Sequence, residues 1–96
     1  MKITKKAREK YMELCKISTY KCDALTEIDY KIERCVSLGK MVLLDGEGVG
    51  YYIYYNMMFL VKNDKVVDIK KDAFYFNYIS EKKKRVYDKV KQNMVV

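Results

Sequence analysis

The stretch from Gly50 to Ile69 constrains the fold of this chain more than any other part of the sequence. β-branched and aromatic residues fill three short runs, which are Tyr51–Tyr55, Met58–Val61 and Lys65–Ile69. The pairs Asn56-Met57 and Asn63-Asp64 separate these runs, and asparagine and aspartate enter left-handed backbone conformations more easily than other non-glycine residues. The stretch therefore predicts three consecutive antiparallel strands, and the rest of the chain must cover one face of them.

The residues before this meander predict two helices. Ile3, Ala7, Tyr11, Leu14, Cys15 and Ser18 recur at offsets of three and four, which predicts a helix from about residue 4 to 17 with Thr4 as its N-cap. Residues 18–25 are expected to connect it to a second helix. That helix is predicted to start with Thr26 as its N-cap and to end at Gly39 in a left-handed conformation. Its buried stripe is expected to be Ile28, Ile32, Cys35 and Val36.

The flanks of the meander complete the predicted architecture. Lys40–Asp45 is expected to be a first strand, and the glycines of residues 46–50 a hairpin loop, since their spacing matches no phosphate-binding loop. Asp72–Ile79 is predicted as a last strand, followed by a helix that Ser80 caps and that runs to about Met94. The apolar stripe of that helix is expected to be Val86, Tyr87, Val90 and Met94.

These elements predict a single α+β domain over residues 1–96. Two N-terminal helices would pack on an antiparallel β-meander of about four to five strands, with a C-terminal helix after it. Alternation along the tyrosine-rich strand puts Tyr52 and Tyr54 on one face and Tyr51, Ile53 and Tyr55 on the other. The sequence leaves open which face is exposed, and an exposed face would offer a platform of aromatic rings.

Charge is distributed unevenly along the chain, whose formal net charge is +7. Residues 1–22 carry seven basic and two acidic side chains, and residues 80–96 carry six basic and two acidic ones. Residues 23–47 are acidic by comparison, with three basic and six acidic side chains. This segregation predicts a positive surface that attracts phosphates, while the alternative is an ordinary solvated surface rich in lysine.

Several classes of protein do not fit the composition. The longest apolar stretch is too short to cross a bilayer as a helix, and Met-Lys-Ile-Thr-Lys-Lys is not the start of a secretory signal, so a cytoplasmic site is expected. Cys15, Cys22 and Cys35 cannot all pair within one chain, which suits a reducing compartment. With no histidine and no Cys-x-x-Cys spacing, neither a metal site nor a cofactor is expected.

The run Lys6-Ala7-Arg8-Glu9-Lys10-Tyr11-Met12-Glu13-Leu14 and later segments of the meander resemble a known superfamily. The later segments are Ser37-Leu38-Gly39-Lys40, Tyr51-Tyr52-Ile53-Tyr54-Tyr55-Asn56, Phe59-Leu60-Val61 and Val66-Val67-Asp68-Ile69. Over residues 3–70 the chain resembles a branch of the small RelE/ParE-type toxin-fold proteins, whose first helix commonly carries His-Ala-x-x-Arg-x-x-x-Arg. Ala7 and Lys10 fit this pattern, whereas Lys6 replaces the histidine and Leu14 the second arginine.

The resemblance implies an activity on RNA. Members of this superfamily are often ribonucleases that cut messenger RNA, or toxins with other targets, and they are paired with an antitoxin. Cleavage beside a 2′-hydroxyl needs a base, an acid and cations, and lysine, arginine and tyrosine can supply them without histidine. If the chain is catalytic, the expected residues are Lys6 and Lys10, with Tyr87 as proton donor. Loss of the histidine argues instead for binding without catalysis.

Two functional hypotheses follow. In the first, the protein binds RNA or another phosphate-bearing ligand, as a toxin-type ribonuclease or a relative without catalysis. The expected phosphate-binding residues are Lys5, Arg8, Lys82, Lys83, Lys84 and Arg85, and Tyr52 and Tyr54 would stack on bases. In the second, it is a small inhibitor from a phage or another mobile element, an anti-defence protein that binds a host protein or nucleotide site. A domain of this size buries limited surface, so a dimer or partner interface would add stability.

Overall fold

A computed structural model describes residues 1–95, which form four helices and one five-stranded sheet. The elements in chain order are β1 (Lys2–Ile3), α1 (Lys5–Leu14), α2 (Lys16–Tyr20), α3 (Leu25–Leu38), β2 (Lys40–Leu44), β3 (Gly50–Tyr54), β4 (Met57–Lys62), β5 (Lys65–Lys71) and α4 (Glu81–Val95). The sheet has the order β1-β5-β4-β3-β2. The predicted α+β class is confirmed, with helices before the meander and one after it. No helix among residues 1–95 has the length and apolar character needed to cross a membrane.

The three central strands lie where the sequence predicts them, and β3 to β5 pair antiparallel. Asn63 and Asp64 form the second turn, both with positive φ angles of 52° and 60°, as predicted. The first turn is displaced by one residue from its predicted position. Tyr55 (φ 54°) and Asn56 make this turn, and Met57 is already a buried strand residue. A positive φ is unusual for tyrosine. The backbone of Tyr55 also exchanges two hydrogen bonds with the backbone of Asn77, of 2.8 and 3.0 Å.

Strand β1 was not predicted from the sequence. β1 pairs with β5 in parallel, with Lys2 opposite Lys65 and Ile3 opposite Val66. The sheet is therefore mixed rather than purely antiparallel. Two residues are too few to show the alternation by which a strand is recognised, and a parallel partner lies far away in sequence.

The first predicted helix is divided in two. Thr4 caps α1 as predicted, because its Oγ1 accepts a hydrogen bond of 3.1 Å from the amide of Ala7. Cys15 then leaves the helical conformation (φ −122°, ψ 61°) and separates α1 from α2. Residues 16–20, expected partly as helix and partly as connection, form α2 instead. The carbonyl of Cys15 remains satisfied, since both the amide and the hydroxyl of Thr19 donate to it at 2.9 Å.

The start and the end of α3 differ from the prediction. Thr26 is not the N-cap, since Ala24 occupies that position without a side-chain cap, although Glu27 accepts a hydrogen bond from the amide of Asp23. Gly39 is not left-handed, because its backbone is extended (φ −72°, ψ 164°). A Cβ at Gly39 would lie 2.8 Å from the carbonyl oxygen of Cys35 and 3.0 Å from that of Ile53. Glycine is required there for a close backbone approach.

The core lies between α1, α3 and one face of the sheet. Phe59, Val66 and Ile69 are fully buried against the helices, and the predicted stripe of α3 is buried completely. Tyr54 belongs to this core and Tyr52 packs against it. The helices therefore cover the face of β3 that carries these two tyrosines.

The segment 72–79 is a loop, so the predicted last strand is wrong. Its single bridge joins Asn77 to Tyr55. Asp72 bends the chain directly after β5. Its Oδ1 accepts a 2.7 Å hydrogen bond from the amide of Phe74 and a 2.9 Å hydrogen bond from the amide of Tyr75. At the other end of the loop, Ile79 is buried in the core.

Ser80 caps α4 as predicted, since its Oγ accepts a 3.2 Å hydrogen bond from the amide of Lys83. The predicted apolar stripe of this helix is only partly buried. Val86 and Val90 are each more than half exposed, whereas Tyr87 packs toward α3. The side chain of Met94 lies outside the described residues.

Candidate nucleic-acid interface

Helix α3 lies between the two basic helices and binds one cation of each through an acidic side chain. Arg8 of α1 forms two hydrogen bonds to Asp29, of 2.7 and 2.6 Å. On the other side, Lys91 of α4 lies 3.7 Å from Glu33. The bidentate pair between the Arg8 guanidinium and the Asp29 carboxylate is directional and strong for a partly exposed site. Arg8, predicted to bind phosphate, is thus already paired inside the protein.

The three residues predicted for catalysis are not brought together. Lys6 lies 3.6 Å from the carboxylate of Asp68 on β5, and Lys10 lies on the same helix, α1. Tyr87 belongs to α4, and its ring packs on Tyr30 of α3 at a centroid distance of 5.9 Å. Its hydroxyl is buried without a hydrogen-bond partner among the described residues, so it does not face solvent. Among the side chains that the structure describes, which in α4 are those of residues 81–91, no hydrogen bond or ion pair joins α1 to α4.

The two tyrosines predicted to stack on bases do not present their rings. Tyr54 is 8% exposed, and burial raises the pKa of its hydroxyl to about 12. Tyr52 is half-buried against the core. The stacking role predicted for this pair needs open ring faces, which Tyr54 does not have.

The loop 72–79, called here the aromatic loop, carries the exposed rings instead. Phe74 is 95% exposed, Phe76 68% and Tyr78 67%. So much exposed aromatic surface in one short segment is unusual for a small domain. The sequence contains a signal for it, because Phe74 to Tyr78 is aromatic at every position but Asn77 and lacks the polar alternation of a half-buried strand.

Tyr55 joins the aromatic loop to the first turn of α4. Its ring lies 6.1 Å from that of Phe76 and 6.0 Å from that of Tyr78, both edge to face. The Lys84 ammonium lies 4.9 Å from the centroid of the same ring. The Tyr55 hydroxyl donates a 2.6 Å hydrogen bond to the carbonyl of Ile79. The loop rings and the basic turn therefore surround one tyrosine.

Lys84 has a structural part in this cluster. Its ammonium forms a 3.1 Å ion pair with Glu81, and its side chain is largely covered. Burial alone would lower the pKa of Lys84, but its interactions with Tyr55 and Glu81 outweigh burial and raise the pKa above its usual range. Lys84 thus remains charged while it holds the helix against the loop.

The neighbouring cations point outward. Lys82, Lys83 and Arg85 are exposed, and among the described residues no carboxylate lies within 4.0 Å of their charged groups. Lys82 and Arg85 share one side of α4, where they line a shallow depression with Lys89. Cations in the first turn oppose the helix dipole, which argues that helix stability does not explain them. Lys5, also predicted to bind phosphate, lies on α1, 3.9 Å from Glu9.

The exposed side chains of the loop and of the adjoining helix turn, which Tyr55 and Lys84 link, are called here the aromatic-basic surface; they are Phe74, Phe76, Tyr78, Lys82, Lys83 and Arg85. Exposed rings can stack on unpaired bases, and nearby cations can bind the phosphates between them. None of these six residues carries a carboxylate or a thiol. No group of three side chains able to hold a metal ion occurs in the part of the chain that the structure describes. The arrangement is suited to binding.

No protein-family model, curated protein or solved structure matches this chain. The resemblance to RelE/ParE-type proteins therefore stays a prediction.

Proposed function

We propose that this protein binds single-stranded RNA through the aromatic-basic surface. The observation that supports the proposal is that Tyr55 contacts both the exposed rings of the aromatic loop and, through Lys84, the helix turn that carries the unpaired cations. Phe74 is the most telling residue, since a 95% exposed phenylalanine contributes almost nothing to folding. The three free cysteines suit the reducing cytoplasm, where we place the protein.

The chemistry favours a single strand over a duplex. A base can reach a ring face only when it is unpaired, and stacking contributes about 1 to 3 kcal/mol per base. The phosphates of a flexible strand can follow the cations of one helix turn without a groove to accommodate the protein.

Binding is also better supported than cleavage. Lys6 is close to Asp68, and the hydroxyl of Tyr87 is buried on a different helix. A general acid must come within hydrogen-bond reach of the scissile phosphate, which this placement does not favour. We therefore propose a ribonucleic-acid-binding protein without a cleavage reaction.

The direct test is a fluorescence anisotropy titration of a labelled single-stranded RNA at about 50 and about 200 mM salt. The triple variant Lys82→Gln/Lys83→Gln/Arg85→Gln should bind more weakly. Its slope of log affinity against log salt should fall by about 2, since each lost phosphate contact on a single strand removes about 0.7. Phe74→Ala should weaken binding by about 1 to 3 kcal/mol with little change in the salt slope.

The matched control removes three charges at the opposite end of the sheet. Lys2, Lys62 and Lys65 lie together beside the turn between β4 and β5, away from the aromatic loop. Their triple glutamine variant carries the same net charge as the α4 variant and should bind RNA nearly as well as the unchanged protein. Equal losses in both variants, or no binding at the lower salt, would remove the proposal. A denaturing gel of the bound RNA tests cleavage, and intact RNA is expected.

A second function is favoured by one observation on the sheet. Strand β2 is an edge strand, and Met41, Leu43 and Leu44 on it are exposed. An unpaired apolar edge can accept a strand from a partner protein. The inhibitor hypothesis, or an antitoxin-like partner, would use this edge. Recovery of one stoichiometric protein and no nucleic acid from cells, lost on Leu43→Lys, would favour it over RNA binding.

A further inference from the structure

A second basic site lies in a depression where α1, α2 and α3 meet. Three lysines surround it, Lys16 and Lys21 at the two ends of α2 and Lys31 on α3. Its remaining lining residues are Leu14, Cys15, Ile17 and Ser18. The depression is open to solvent and measures about 530 Å³. That volume lies within the range of small-molecule sites. It is called here the lysine pocket.

The lysine pocket has a marked excess of positive charge. None of its lining residues is acidic. In the part of the chain that the structure describes, no carboxylate lies within 4.0 Å of the ammonium groups of Lys16, Lys21 or Lys31. Lys31 is the half-buried one of the three, and the half-buried Arg8 and Arg34 both have such a partner. Three unpaired ammonium groups around one depression favour an anion between them.

A hydrogen-bonded hydroxyl lies at the base of this pocket. The Ser18 Oγ is 2.8 Å from the hydroxyl of the buried Tyr11 and accepts a 3.2 Å hydrogen bond from the Lys31 ammonium. Either hydroxyl can donate in the Tyr11–Ser18 hydrogen bond, and when Tyr11 donates, the proton of Ser18 is free to point into the pocket. The pocket then offers one hydroxyl donor and three ammonium groups, which are the donors that a phosphate group accepts well.

The rest of the lining is apolar. Leu14 and Cys15 form part of the wall, and the side chain of Ile17 is exposed at the edge. A bare phosphate ion would leave this apolar surface in water. A ligand that carries both a phosphate and a flat, weakly polar group would cover it, and a mononucleotide combines these two parts.

We propose that the lysine pocket binds a mononucleotide, with its phosphate among Lys16, Lys21 and Lys31 and its base against Ile17 and Leu14. The site shares no residue with the aromatic-basic surface and does not depend on RNA binding there. It therefore gives the protein a second, small-molecule ligand.

The test is isothermal titration calorimetry of the full chain with adenosine 5′-monophosphate, adenosine and inorganic phosphate as separate probes. The monophosphate should bind, and adenosine should bind at least about tenfold more weakly because it lacks the charge-assisted hydrogen bonds. Inorganic phosphate should also bind more weakly than the nucleotide, since it makes no apolar contact. The double variant Lys16→Gln/Lys21→Gln should bind the monophosphate about tenfold more weakly than the unchanged protein does.

Both lysines of this variant are exposed and make no ion pair in the described residues, so the fold should not change. A matched control, Lys2→Gln/Lys65→Gln, removes two exposed charges elsewhere and should change the affinity less than about twofold. No binding of the monophosphate up to about 10 mM would overturn the proposal, as would equal binding of adenosine or an equal loss in the control variant.

The same variants separate this proposal from RNA binding. The lysine-pocket variant should keep its affinity for single-stranded RNA, and the Lys82→Gln/Lys83→Gln/Arg85→Gln variant should keep its affinity for the monophosphate. If the pocket variant lost RNA affinity instead, the pocket would be part of a longer RNA path and a separate nucleotide site would be refuted.

Discussion

Replacing Gly39 with alanine should destabilise this protein, although the backbone of Gly39 is one that any residue can adopt. The new Cβ would lie 2.8 Å from the carbonyl oxygen of Cys35 and 3.0 Å from that of Ile53. Both oxygens belong to the backbone of regular elements, α3 and β3, and the Ile53 oxygen also accepts a 3.1 Å hydrogen bond from Asn77. Neither oxygen can move without shifting an element of the fold.

The size of the effect follows from the gap that must open. An ordinary contact for a Cβ begins at 3.4 Å, so the nearer oxygen must retreat from 2.8 Å by several tenths of an ångström. Overpacking of this kind costs about 1 to 3 kcal/mol. The lower chain entropy of alanine in the unfolded state returns about 0.4 to 1 kcal/mol. We expect a net loss of about 1 to 2 kcal/mol, and a Tm lower by about 5 to 15 °C in a domain of this length.

Urea and thermal unfolding followed by circular dichroism measure this loss. Gly46→Ala is the control, because no heavy atom lies within 4 Å of its added Cβ, and its stability should be unchanged or slightly higher. Gly39→Asn separates the two explanations of the glycine. Asparagine would be milder than alanine if a left-handed conformation were needed, whereas steric contact makes it at least as damaging. A Gly39→Ala protein as stable as the unchanged chain would refute the steric explanation.

Three further outcomes are expected. Phe59→Ala should cost about 3 to 5 kcal/mol in urea unfolding, because the ring is fully buried; a loss under about 1 kcal/mol would contradict this core. Thr4→Ala should cost about 0.5 to 2 kcal/mol, while Thr26→Ala should cost much less, since only the first threonine caps a helix. Stability should fall as the pH rises from about 9 toward 12, because burial raises the pKa of Cys35 from 9.0 to about 12 and that of Tyr54 from 10.0 to about 12. Because the folded state holds both groups neutral, this stabilisation is fully present below their unfolded pKa values and is lost as the pH rises through their folded pKa values. A Tm that does not change with pH over this window would contradict the burial of these groups.

Features that depend on local sequence pattern were predicted correctly. The stripe of α3 is buried at every predicted position, because a period of 3.6 residues determines which side chains share a helix face. The Asn63-Asp64 turn adopts the positive φ angles that these residues tolerate. The hairpin loop after β2 also forms as predicted, with Gly48 at a φ of 83°.

Features that depend on distant contacts were not predicted. The parallel pairing of β1 joins residues more than sixty positions apart in the chain, which no local pattern encodes. The role of Gly39 follows from the approach of α3 to β3, so the sequence could offer only the commoner explanation for a glycine at a helix end. The aromatic loop was assigned to a strand because aromatic residues are good strand formers, although Asp72 and the Tyr55 bridge bend it out of the sheet.

The candidate site divides in the same way. The sequence by itself determined that Lys82, Lys83 and Arg85 form a dense basic cluster at the start of a helix that Ser80 caps, since capping and charge are local properties. It could not decide which aromatic residues accompany them. Burial of Tyr54 beneath the helices, exposure of Phe74 and the meeting of loop and helix at Tyr55 all depend on how the elements pack. Tertiary structure alone made that choice, because packing decides which of two equally aromatic segments is covered and which remains in water.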